Sequence, residues 1–144
     1  MPTPQNYQNH ARYFPLVHFV VVPLLTINLI YQLVRLYQEP NWDRGMFVVL
    51  SLVFILMTIG ARLQALKAQD RVIRLEEMLR YERLLPEEVA SASTSLPLGQ
   101  VIALRFCSDE ELADLVRRTG AGEFTKNKEI KRAVKNWRAD HHRV

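Results

Sequence analysis

Ile55-Leu-Met-Thr-Ile-Gly-Ala-Arg-Leu-Gln-Ala-Leu-Lys-Ala-Gln-Asp-Arg-Val-Ile-Arg74 begins apolar and ends charged, with no turn residue between the two parts. It holds no proline, and its one glycine, Gly60, comes before the first charge. From Arg62 to Leu85 no proline or glycine interrupts the chain, and Leu, Ala, Arg, Glu, Gln and Lys dominate. These are strong helix formers, and Pro86 ends the run. The pairs Asp70–Arg74 and Glu76–Arg80 have the favourable i,i+4 order. The stretch therefore predicts one helix from about Met46 to Leu85, roughly 60 Å long at 1.5 Å per residue, apolar at its start and wet at its end.

The apolar half has a partner upstream. Phe14 to Leu36 is 23 residues with no acid and one base, Arg35, near its end. Crossing ~30 Å of hydrocarbon takes ~20 apolar residues, so this run suffices. Met46 to Leu66 gives a second span of 21 residues if Arg62 snorkels its guanidinium to the headgroups. Between residues 14 and 62 only five charged side chains occur, Arg35, Glu39, Asp43, Arg44 and Arg62, whereas the rest of the chain is dense in both signs. The polar loop 37–45 carries Pro40 and the interfacial aromatics Tyr37 and Trp42, with Tyr13 at the opposite surface. Two spans joined by so short a loop make a hairpin over 14–66 (spans about 14–36 and 46–66). Segment 62–80 has five basic residues and the loop region two, Arg35 and Arg44. The positive-inside rule then places both termini, including a tail over 1–13, in the cytoplasm. The first span is too long for a signal-peptide core and lacks a cleavage site, so the anchor is expected to be uncleaved.

Within the spans, Asn28, Gln32 and Arg35 recur along one face, and Ser51 and Thr58 share another. Hydrogen bonds between helices are the expected use of Asn28, Gln32 and Ser51, ahead of a polar permeation path. Pro23 is expected to kink the first span, and His18 reads as interfacial. Further on, Thr58, Ala61, Ala65, Ala68, Val72, Leu75 and Leu79 follow a 3-4-3-4-3-4 spacing. Small residues lie at and just beyond the membrane, larger ones farther out. This is a helix-packing seam of about three heptads. Two occupants suit it, a second copy or the chain's own C-terminal helices.

After a helical stalk over 62–85, segment 86–96 is rich in Ala, Ser and Thr and reads as a linker. Three helices are expected over 97–144. The first runs from Pro97 to Phe106. Ser108-Asp-Glu-Glu111 is a capping box opening the second, which ends at Gly120-Ala-Gly122. The third starts near Thr125 and runs to about His142. On it Ile130, Ala133, Val134, Trp137 and His141 form one face, and Lys128, Lys131, Arg132, Lys135, Arg138 and His142 a basic one. That basic face suits an anionic surface. About 48 residues make a marginal core alone, so docking on the 62–85 helix or on a second copy is expected.

The chain has no Gly-rich phosphate loop, no Cys/His metal spacing and no nucleophile elbow. Asp140-His-His142 reads as a solvated tail and Asp109-Glu-Glu111 as acids at a helix start. The lone cysteine, Cys107, cannot form an intramolecular disulfide, which agrees with a cytosolic soluble part. It sits by a helix start that would favour its thiolate, but burial as a small residue is the stronger expectation. No catalytic residue, cofactor, metal or small-molecule substrate is expected.

Three stretches carry a resemblance: Gln5-Asn-Tyr-Gln-Asn-His-Ala-Arg-Tyr-Phe-Pro-Leu-Val-His18, Ala103-Leu-Arg-Phe-Cys-Ser-Asp-Glu-Glu-Leu112, and Lys128 to Val144, the most specific of the three. Together they resemble a bacterial family catalogued as domain of unknown function 6526. The resemblance covers nearly the whole chain. It implies a small two-span membrane protein and brings no activity or catalytic residue with it. The expected protein is thus an all-α membrane protein of the bacterial inner membrane: a non-catalytic, oligomeric scaffold or accessory subunit whose partners are the bilayer and its own copies or another membrane protein. A transporter or channel component ranks next, and a membrane-tethered nucleic-acid-binding module after it.

Overall fold

A computed structural model describes residues 6–8 and 14–140. Every named element among them is helical, and extended backbone pairs only where Cys107 meets Trp137. Two compact units divide the chain near Leu66. The expected N-terminal tail falls mostly outside the described residues, as do His141 and His142.

The first unit is a helical hairpin. A π-helical segment, Leu16–Val21, continues into α1, Val22–Gln38. Pro23 explains the change of winding. It lacks an N–H, and its ring would press on the carbonyl four residues back. Widening the preceding turn, so that the Val22 N–H reaches the Val17 carbonyl, makes room. The kink expected at Pro23 thus takes the form of a π-helical turn. The helix α2, Trp42–Leu84, begins four residues before Met46. Asn41 caps it by accepting the Arg44 N–H at 2.9 Å. The Arg44 guanidinium closes the bend on the Glu39 carboxylate. Both Leu16–Gln38 and Trp42–Leu84 are long and apolar enough to cross a membrane, and the apolar part of the first buries nothing inside the protein.

The second unit is a helical bundle packed on the α2 residues from Lys67 onward. Its elements are α3 (Glu87–Ser93), α4 (Leu98–Leu104), α5 (Asp109–Gly120) and α6 (Asn127–Ala133). The core joins Tyr81 and Leu85 to Val101 and Leu104 of α4, Leu112, Leu115 and Val116 of α5, and Ile130 of α6. Segment 86–96, expected to be a linker, is mostly α3. Glu87 and Glu88 occupy its first turn, where the helix dipole favours acids, and Ser93 and Leu96 are buried. At the end of α5, Gly122 takes φ +78°. Its N–H reaches the Thr119 carbonyl and that of Glu123 the Arg118 carbonyl, a Schellman closure that a β-carbon would strain.

The expected third helix is corrected. α6 stops at Ala133, and Val134 turns extended with ψ 121°. Residues 135–138 lie along 106–111 instead. The Ser108 N–H bonds the Asn136 carbonyl at 3.0 Å, and the Arg138 N–H bonds the Phe106 carbonyl at 2.8 Å. The Glu111 carboxylate accepts the N–H groups of both Lys135 and Asn136 at 3.2 Å. Trp137 stacks obliquely on Phe106 with centroids 4.9 Å apart. Helix propensity lost here to tertiary hydrogen bonds and an aromatic contact.

Candidate interaction surface

Beyond Lys67, α2 presents two faces. One carries Ile73, Glu77, Arg80 and Tyr81, spaced 4, 3 and 1 apart and all buried. Two of the four are ions. Arg80, 3% exposed, donates from Nη1 to Glu77 Oε2 at 3.0 Å. Its Nε and Nη2 reach Asp109 Oδ1 at 2.9 and 2.6 Å, and Nη2 also reaches the Cys107 carbonyl at 2.8 Å. Glu77, 4% exposed, takes a second cation on its other oxygen, Arg138 Nη1 at 3.2 Å. A buried charge is tolerated when paired and fully hydrogen-bonded, and this lattice meets that condition. Burial pulls the Arg80 pKa down, but Asp109 and Glu77 outweigh it, so the guanidinium holds its proton more firmly than usual. Burial first, then the Glu77 charge, pushes the Tyr81 phenol up. The lattice lines a groove of 570 Å³ shared with Arg105, itself paired to Asp140 at 3.1 Å.

The i,i+4 pairs expected from the sequence do not form. Arg80 turns to Glu77 and Asp109 rather than Glu76, and Arg74 donates to the Thr94 carbonyl at 3.2 Å. The lattice itself was not foreseen. Its trace in the sequence is the run Ile73, Glu77, Tyr81, apolar and acidic positions four apart, which reads as a solvated helix face when taken alone.

The other face is the expected seam. Val72, Leu75 and Leu79 are 52%, 65% and 62% exposed. Ala61, Ala65 and Ala68 are exposed too, and Thr58 is half-buried. The bundle therefore does not use the seam.

In the hairpin, Asn28 Nδ2 donates to Ser51 Oγ at 2.8 Å, and the Ser51 hydroxyl donates to the Phe47 carbonyl at 2.8 Å. Gln32 is half-buried and stands outside this pair. Of the basic-face residues, Lys128, Lys131 and Arg132 stay on α6, and Lys135 and Arg138 lie beyond its end. Lys131 lies over the Phe106 ring and Arg132 over the Tyr7 ring, at 5.2 and 5.3 Å, while Arg138 joins the lattice. Lys128 and Lys135 are exposed and share no helix, since Lys135 lies past the end of α6. The single basic stripe is thus corrected. Cys107 is fully buried, as expected of it as a small residue, and burial pushes its thiol up to about 12. Among the described residues no His, Cys, Asp and Glu cluster is placed to hold a metal.

Across residues 1–144 the sequence matches the model of a family of unknown function, DUF6526. The chain belongs to that family. No curated protein and no solved structure matches it. For this DUF6526 chain, then, the surface itself has to indicate the role. The feature that stands out is an apolar stripe on a helix whose opposite face is already occupied.

Proposed function

We propose that the chain is a non-catalytic, membrane-anchored scaffold or accessory subunit that self-associates through α2. One observation carries this reading: α2 buries Ile73, Glu77, Arg80 and Tyr81 under its own bundle and leaves Val72, Leu75 and Leu79 more than half exposed among the described residues. Exposed apolar side chains at regular spacing on a helix mark an interaction face. The hairpin's apolar exterior supports a two-span anchor. Five basic residues over 62–80 against two near the bend support a bacterial inner-membrane orientation with both termini cytoplasmic. The Asn28–Ser51 bond is closed within the hairpin, which favours a structural use of these groups over a permeation path. The nucleic-acid reading rested on a longer basic helix; α6 ends at Ala133 and keeps only Lys128, Lys131 and Arg132 of that face.

The test is oligomer size in several mild detergents and in nanodiscs. The wild type is expected to be larger than one chain, and Leu75→Glu to shift it toward monomer. A monomer under all conditions overturns the reading. A cysteine at Asn41 in a Cys107→Ser background should react with a membrane-impermeant thiol reagent in whole cells, and one at Ser91 only after permeabilisation.

A further inference from the structure

The self-association proposed above leaves open how many copies meet and in what register, and α2 answers both. Set out as a heptad, Ala65, Val72 and Leu79 fall at a, and Ala68 and Leu75 at d. On that scale the residues buried under the bundle, Ile73, Glu77, Arg80 and Tyr81, fall at b, f, b and c. These are the positions farthest from an a/d seam. The bundle thus occupies the outside of a prospective coiled coil and leaves its inside clear. Met78, at g, is shared with the bundle's edge.

Three features on the page select the occupant. At the centre of the seam, Val72 at a with Leu75 at d is the combination that favours two parallel strands. Two copies anchored in one membrane by the same hairpin run parallel at the same depth, so each a and d position meets its own counterpart. In that register a g residue of one helix faces the e residue five places on in the other. Here that pair is Arg71 with Glu76, opposite charges, formed twice by symmetry. Both are exposed, and among the described residues neither takes part in an ion pair. The preceding g–e pair, Gln64 with Gln69, is neutral, and the following one sets Met78 against Arg83. No like charges face each other. The seam closes where the next d position is Glu82 and Pro86 follows.

We infer that a second copy of this chain docks on this stripe as a parallel, in-register dimer, its register fixed by reciprocal Arg71–Glu76 pairs. This rests on the self-association reading. The full chain in nanodiscs, in a Cys107→Ser background, tests it. On mild oxidation Leu75→Cys, or Val72→Cys where the first variant folds poorly, should yield a disulfide-linked dimer, and the unoxidised particle should have the protein mass of two chains. Arg71→Glu and Glu76→Arg should each weaken association about tenfold, since two attractions become two repulsions. The double reversal Arg71→Glu with Glu76→Arg should restore it, and Lys128→Glu should leave it unchanged. Oligomers that ignore the single reversals, or that the double reversal fails to rescue, overturn the proposed register and leave the scaffold reading standing. A protein mass of three or more chains per particle overturns the dimer. A chain that stays monomeric overturns both.

Discussion

Arg80→Ala should damage the bundle more than any exposed-charge substitution. The side chain is 3% exposed and makes four hydrogen bonds, to Glu77, twice to Asp109, and to the Cys107 carbonyl. Removing one partner of a buried ion pair costs about 3–5 kcal/mol, because the other charge is stranded. Two features place this case at the low end. Glu77 keeps Arg138, whose side chain is 53% exposed, and the Asp109 side chain, 60% exposed, regains water. The Cys107 carbonyl loses a donor, at about 1 kcal/mol. A loss of about 3 kcal/mol corresponds to a Tm drop of roughly 12–24 °C for a body of this size. Trp137 stacks on Phe106 beside the lattice, so its emission in a Trp42→Phe background follows thermal unfolding of this unit in detergent. Adding Glu77→Leu to Arg80→Met should cost less than the two single losses summed, because the stranded charge is removed with its partner. A Tm drop under about 4 °C for Arg80→Ala, or strict additivity in the pair, would refute the reasoning.

Glu111→Ala removes a carboxylate that accepts the N–H of Ser108, Lys135 and Asn136. It should cost about 2 kcal/mol and release residues 135–138, seen as a red shift of Trp137 emission at temperatures where helicity persists. Tyr81→Phe should be neutral or stabilising by about 1 kcal/mol, because the buried hydroxyl has no partner among the described residues; a clear loss of stability in a thermal scan would reveal an unseen one. Glu129 accepts the N–H of Lys126 and Thr125 at 3.1 and 2.8 Å, and these bonds lower its pKa. Its contribution is therefore complete above the usual glutamate value of about 4.3 and lost as pH falls through the lower folded value. Thermal scans from pH 6 to 3 should show Glu129→Gln with a shallower acid response than wild type.

The helical hairpin was legible because two apolar runs of about twenty residues, each bounded by charge, leave few alternatives to long helices. The capping box at Ser108–Glu111 and the Gly122 stop were legible because each is set by a few adjacent residues. α3 was hidden because Ala and Ser keep no apolar period to count. The last helix misled for the opposite reason. Its amphipathic period over 128–142 is real, but the partners that unwind it, Glu111 and Phe106, lie more than 20 residues upstream and are invisible to any local window. The seam and its two possible occupants were both visible. What sequence lacked was the buried lattice that keeps the chain's own bundle off the seam, since Glu77 and Arg80 look like surface charges until Asp109 and Arg138 come to meet them.

That lattice is also what selects which face of α2 remains free. On hydrophobicity alone the bundle would find Val72, Leu75 and Leu79 a better bed than a face holding Glu77 and Arg80. Docking there would strand Arg138 without Glu77 and leave the Cys107 carbonyl and the Asp109 carboxylate without Arg80. It would also turn Ile73 and Tyr81 toward water, forfeiting about 1.5–3 kcal/mol for each large apolar side chain exposed. The paired ions thus make the buried face recognisable to one surface only, at the cost of their desolvation. The apolar stripe is left to whatever meets it from outside. In such an arrangement the charges inside the bundle fix which face of α2 it covers, and the apolar residues on the other face stay exposed.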